Sequence, residues 1–149
     1  MSQPIKVLVA GLGNMGRAHA MAYHNHPGYE IVGVVTRSKD SVPEGLTDYP
    51  HWSDFYDALE ATKPDLASIN TYSDSHADYA VAAMEAGAHV FIEKPLATSV
   101  ADAERVVETA TRLGRKLVVG YILRHHPSWV RLIAEARALG GPFVFRMNL

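Results

Sequence analysis

The run Gly11-Leu12-Gly13-Asn14-Met15-Gly16 sets three glycines in a G-x-G-x-x-G spacing directly after an apolar stretch. Glycines so spaced let the chain turn tightly, keep the second position free of a Cβ that would block a phosphate, and let the following helix pack closely on the strand. A helix starting there aims unpaired N–H groups and the positive end of its dipole at that phosphate, so no cationic side chain is needed. Gly11, Gly13, Asn14, Met15 and Gly16 are therefore candidate contacts to the pyrophosphate of a dinucleotide. A P-loop is excluded, because no Lys-Ser or Lys-Thr follows. The motif by itself leaves open FAD, S-adenosylmethionine, or a turn that binds nothing.

Two further places carry chemistry. About twenty residues past Gly16, where an NAD site places an acid on the ribose diol, stands Val34-Val35-Thr36-Arg37-Ser38-Lys39. A carboxylate there would repel a 2′-phosphate, whereas Thr36 and Ser38 can donate hydrogen bonds to one and Arg37 or Lys39 can neutralise it. The pattern favours NADP with NAD possible, the alternative being a solvated basic turn indifferent to the cofactor. The other place is Lys94, whose amine follows the apolar run at 89–92 and is expected at the carboxyl edge of a sheet, with Pro95 biasing it toward extended backbone angles. Taken alone, a Lys-Pro step reads as a solvated loop.

The elements that must position these groups follow from periodicity. Nearly continuous apolar runs at 6–10, 31–35, 66–70, 89–92 and 116–119 read as strands of a parallel sheet covered on both faces, five at the least. Between them lie helical patterns: one opening at the glycine turn, one from Ser53 toward Thr62, one from His76 to Ala86 closed by Gly87, and one after Ser99 closed by Gly114. Ser99 and Asp102 form a capping-box pattern, and Val100, Ala103, Val107 and Ala110 are expected on the buried face. Pro127 suits the first turn of a last helix with a stripe of Trp129, Leu132, Ile133, Ala136 and Leu139, ended by Gly140-Gly141-Pro142 and followed by a strand-like run at 143–149. The alternation of strand and helix specifies an α/β, doubly wound Rossmann sheet.

Composition narrows the partners. With 149 residues, 48% hydrophobic and 20% charged, the chain matches one ordinary globular domain. A formal net charge of −2 offers no footprint for nucleic acid or anionic lipid. The absence of cysteine removes disulfides and thiolate metal sites, and the opening apolar run is too short to span a membrane, so a cytoplasmic location is expected. His24, His26, His125 and His126 lack an i, i+4 ligand arrangement with a carboxylate, so no metal site is expected.

Three motifs resemble the glucose-fructose oxidoreductase, inositol dehydrogenase and MocA group of NAD(P)-dependent oxidoreductases. The glycine turn continues to His19, like G-x-G-x-x-G-x-x-H, and Thr71-Tyr72-Ser73-Asp74-Ser75-His76 is similar to a T-P-x-x-x-H loop. Ala86-Gly87-Ala88-His89-Val90-Phe91-Ile92-Glu93-Lys94-Pro95-Leu96-Ala97 resembles A-G-x-H-V-x-x-E-K-P-L-A, with Gly120-Tyr121 and Arg124 like a G-Y-x-x-R turn.

The resemblance implies that Lys94 moves the hydroxyl proton during hydride transfer with a sugar or polyol, and that Thr71 and His76 line the cofactor pocket. It also implies that Glu93 lies beside the nicotinamide ribose and that Arg124 contacts nicotinamide or substrate groups. By residue type alone, Glu93 is an exposed strand end, His76 a polar start to a helix, Arg124 surface charge, and His19 a group packed beneath the turn. Residues 1–120 are expected to form the dinucleotide-binding domain, and 121–149 the connecting helix and opening strand of a substrate domain otherwise missing. This fragment is then monomeric, since the family's usual oligomer interface lies in that second part. Tyr72 replaces the usual Pro, and Ile122-Leu123 replace polar residues, so the nicotinamide surroundings depart from the family. The rival reading is a dinucleotide-binding sensor or regulatory subunit without chemistry; a third is a separately encoded subunit that completes the site.

Overall fold

The computed structural model describes residues 3–144 and Arg146. Among the described residues six parallel strands, β1 (Ile5–Ala10), β2 (Tyr29–Val35), β3 (His51–Trp52), β4 (Leu66–Ile69), β5 (His89–Ile92) and β6 (Leu117–Val119), form one sheet in the order β3-β2-β1-β4-β5-β6. The helices are α1 (Asn14–His24), α2 (Phe55–Thr62), α3 (His76–Glu85), α4 (Val100–Leu113) and α5 (Pro127–Leu139). Strand order reverses between β1 and its neighbours β2 and β4, which opens a crevice at the carboxyl ends of those strands. The five expected strands are present. The added one, β3, is two residues long and pairs His51 with Val34 and Trp52 with Val35.

Successive residues of β1 point to opposite faces of the sheet, and both faces are buried. Leu8 and Ala10 pack with Phe55, Ile69, Met84, Val90, Ile92 and Val106 beneath α2, α3 and α4. Val7 and Val9 pack with Leu12, Ala20, Ile31, Val34 and Leu46, beneath α1 and the 36–50 loop. A strand covered on both sides needs apolar residues at every position, which is why β1 reads as a continuous run.

Local chemistry fixes the helix ends. Asp54, rather than Ser53, caps α2 by accepting from the backbone N–H groups of Tyr56 at 2.8 Å and Asp57 at 3.0 Å. At α4 the Ser99 hydroxyl oxygen accepts from Asp102 N at 3.1 Å while its O–H donates to the Asp102 carboxylate at 2.7 Å, so the box closes side chain to side chain. That bond, with Arg105 beside it, holds the Asp102 carboxyl below the ordinary carboxylate range.

Two apolar stripes differ from expectation. On α4 the buried residues are Val106, Thr109 and Ala110, while Val100 is 75% and Val107 49% exposed. The helix turns Val106 into the core, and Arg105 beside it reaches Asp78 on α3 at 2.7 Å. The stripe on α5 has no buried residue. Of the strand expected at 143–149, Phe143 and Val144 have no strand assignment, and residues 145 and 147–149 lie outside the described residues. Among the described residues no helix is long and apolar enough to cross a membrane.

Candidate dinucleotide site

The three glycines of the turn have three different surroundings. Gly11 has φ +84°, and a Cβ there would lie 2.5 Å from the Asn70 carbonyl oxygen. A Cβ on Gly16 would lie 1.9 Å from the Gly11 carbonyl oxygen, so helix and turn touch backbone to backbone. At Gly13 a Cβ would meet nothing within 4 Å; it would project into the open crevice. Gly13 is the N-cap of α1, no side chain caps the helix, and no acid stands in its first turn. The first intrahelical bond runs from Arg17 N to Gly13 O at 2.8 Å, which leaves the amides of Asn14, Met15 and Gly16 as the orphan donors of the helix start. An open space before uncapped amides fits a pyrophosphate. At the end of β4, Asn70 Nδ2 donates to Ser68 O and Oγ, both at 3.1 Å, and its Oδ1 is buried without a hydrogen-bond partner among the described residues.

Beyond β2 the polar side chains are bonded within their own loop. The hydroxyls of Thr36 and Ser41 are 2.8 Å apart, and Ser38 Oγ accepts from Asp40 N at 3.3 Å. Arg37 alone of the three reaches across, its guanidinium lying 5.7 Å from the centroid of the Tyr72 ring at the end of β4. The next acid, Asp40, stands in the short 3-10 turn Lys39–Ser41.

At the end of β5, Glu93 is buried, correcting its reading as an exposed strand end. Its Oε1 accepts from His19 Nε2 at 2.8 Å and its Oε2 from Lys94 N at 3.1 Å. The His19 ring also lies 4.8 Å from that of Phe91, and a Cβ on Gly120 would come within 3.0 Å of Glu93 Oε1, so the carboxylate occupies the space a larger residue would need. His76 is likewise buried rather than a solvated helix start. Its Nδ1 lies 2.6 Å from Pro95 O and its Nε2 3.1 Å from Thr71 O, while the Thr71 and Ser75 hydroxyls are 2.7 Å apart. The Lys94-Pro95 peptide is cis, and Lys94 itself is exposed at the carboxyl edge of the sheet. Arg124 is exposed past β6, its guanidinium 5.7 Å from the Tyr121 ring centroid.

The structure thus gathers Thr71, His76, Glu93 and Lys94 around two adjacent loops, and Arg37 with Tyr72 across the crevice. Sequence reasoning missed two participants. Asn70 reads as an ordinary strand end, and the partnership of His19 with Glu93 joins residues 74 positions apart.

Residues 5–121 match the GFO_IDH_MocA oxidoreductase family, NAD-binding Rossmann fold, and the chain belongs to that family. It is 29% identical over 148 residues to an inositol 2-dehydrogenase of Salmonella typhimurium, a match covering 94% of this chain and 44% of that protein. It is 34% identical over 127 residues to the 4-carboxy-2-hydroxymuconate-6-semialdehyde dehydrogenase of a Sphingobium species, covering 83% of this chain and 40% of that one. Among solved structures it resembles a 3-ketoreductase of Actinomadura kijaniata crystallised with NADP, with TM-score 0.80 and 26% identity over 93% of this chain and 43% of the other. The chain spans less than half the length of these relatives.

Proposed function

We propose that the chain is the dinucleotide-binding part of an NADP-preferring oxidoreductase that acts between a carbinol and a carbonyl on a sugar or polyol. The observation that carries this reading is one sheet edge bearing both the uncapped start of α1 and, two strands away, the exposed amine of Lys94. The amides of Asn14, Met15 and Gly16 hold the pyrophosphate, and Arg37 neutralises a 2′-phosphate. The nicotinamide, when bound, supplies the hydride chemistry. Lys94 takes or returns the hydroxyl proton of the substrate. Residues 1–120 form the cofactor domain, and 121–149 lead into a substrate domain that walls the reacting carbon. The unburied stripe of α5, with Leu132 and Ile133 both half-exposed, supports the idea that this helix packs on further chain. A cytoplasmic location and a monomeric state for this piece alone complete the reading.

Titration calorimetry at fixed salt tests it. The chain is expected to bind NADPH on the order of ten times more tightly than NADH, with Arg37→Ala abolishing the difference while NADH binding is retained. Equal affinities in the unmodified chain would contradict the 2′-phosphate assignment, and binding of neither would contradict the site.

A further inference from the structure

We propose that His76 is a positioning residue for Lys94, its Nδ1–H holding the Pro95 carbonyl of the lysine's loop; the proposal rests on the reading of Lys94 as the proton-transfer group. Lys94 stands on an exposed turn with a long flexible stem, a poor way to hold an amine over a reacting carbon unless its backbone is fixed. Both flanking residues are fixed by histidines. On one side the Glu93 carboxylate joins His19 of α1 to Lys94 N. On the other, the Pro95 carbonyl is bound by His76 of α3 at 2.6 Å. The second nitrogen of His76 faces another carbonyl, Thr71 O at 3.1 Å. Carbonyls only accept, so the imidazole serves this junction as a donor, and the shorter contact assigns the N–H to Nδ1, facing Pro95. With both nitrogens facing backbone oxygens in a buried position, His76 acts through the loop it holds and not by contact with the dinucleotide.

Replacements that keep one donor or the other test this. In His76→Asn the amide nitrogen falls near the place of Nδ1 and can still reach Pro95 O; in His76→Gln it falls near Nε2 and reaches Thr71 O. His76→Leu removes both. In the full-length enzyme, kcat is expected to fall by roughly 10- to 100-fold in His76→Leu and His76→Gln but by only about threefold in His76→Asn, with dinucleotide affinity nearly constant across the series. In the chain described here, exchange of the Lys94 amide is expected to speed up about tenfold or more in His76→Leu and to return toward normal in His76→Asn. Unchanged Lys94 exchange in all three variants would overturn the proposal, as would equal losses of kcat in His76→Asn and His76→Gln that merely follow thermal stability. If exchange responds as expected while Lys94→Ala leaves turnover intact, the clamp stands and the catalytic reading of Lys94 is what fails.

Discussion

Replacing Lys94 by alanine in the full-length oxidoreductase is expected to lower kcat by roughly 10²- to 10⁴-fold, the range for loss of a general acid–base group. The dinucleotide Kd is expected to stay within about threefold of the original, because the proposed contacts to pyrophosphate and 2′-phosphate lie at other residues. This division follows from the sheet. The amides of Asn14, Met15 and Gly16 stand at the end of β1, whereas Lys94 follows β5, with β4 between them. The contacts that hold the loop run through the Glu93 carboxylate, the Lys94 backbone N–H and the Pro95 carbonyl, none of them through the amine, so the loop keeps its shape when the amine is removed. Lys94→Arg should restore little, since a guanidinium holds its proton at every working pH. Steady-state kinetics beside a cofactor titration decides the point; an unimpaired Lys94→Ala enzyme removes the residue from the mechanism.

The glycine turn yields the second large effect, and one substitution type made at two positions separates packing from binding. Gly16→Ala is expected to destabilise the fold by about 3 kcal/mol or more, a fall of roughly 10 °C in Tm for a chain of this size. Its Cβ would lie 1.9 Å from the Gly11 carbonyl oxygen and 2.8 Å from the carbonyl carbon, backbone atoms that cannot swing aside. Gly13→Ala has no such obstacle, because nothing lies within 4 Å of its Cβ and its φ of −66° is ordinary for alanine. Its Tm is expected to change by only a degree or two, while affinity for NADPH falls about tenfold or more as the methyl group enters the pyrophosphate's space. Thermal melts and titrations of both variants check this. A stable Gly16→Ala protein would contradict the close helix–turn contact, and undiminished binding by Gly13→Ala would place the phosphate elsewhere.

Much of this architecture is legible in the sequence because its cause is local. The continuous apolar runs of β1, β4 and β5 follow from burial on both faces, and Gly11, Gly16 and Gly114 stand where only a missing side chain or a left-handed backbone fits. What escaped reading has non-local causes. β3 is two residues long, too short for any period to show, and exists only because Val34 and Val35 offer it an edge. On α4, Val100, Ala103, Val107 and Ala110 form one plausible helical stripe, of which only Ala110 is buried; the face that enters the core runs through Val106, Thr109 and Ala110, as packing against α3 and the sheet selects it. Glu93 reads as solvated until its distant partner His19 is brought alongside, and His76 reads as a polar helix start until the Thr71 and Pro95 carbonyls close on it. A sequence pattern locates the strand ends of such a site, and packing determines which side chains at those ends remain free.

The most direct test of the central claim, a dinucleotide seated across the glycine turn, is a heteronuclear NMR titration of the chain with NADPH. The amides of Gly13, Asn14, Met15 and Gly16, together with the resonances of Arg37, are expected to show the largest shifts and to saturate at one equivalent. Shifts absent from the turn, or confined to the exposed Val100 and Val107 face of α4, would contradict it.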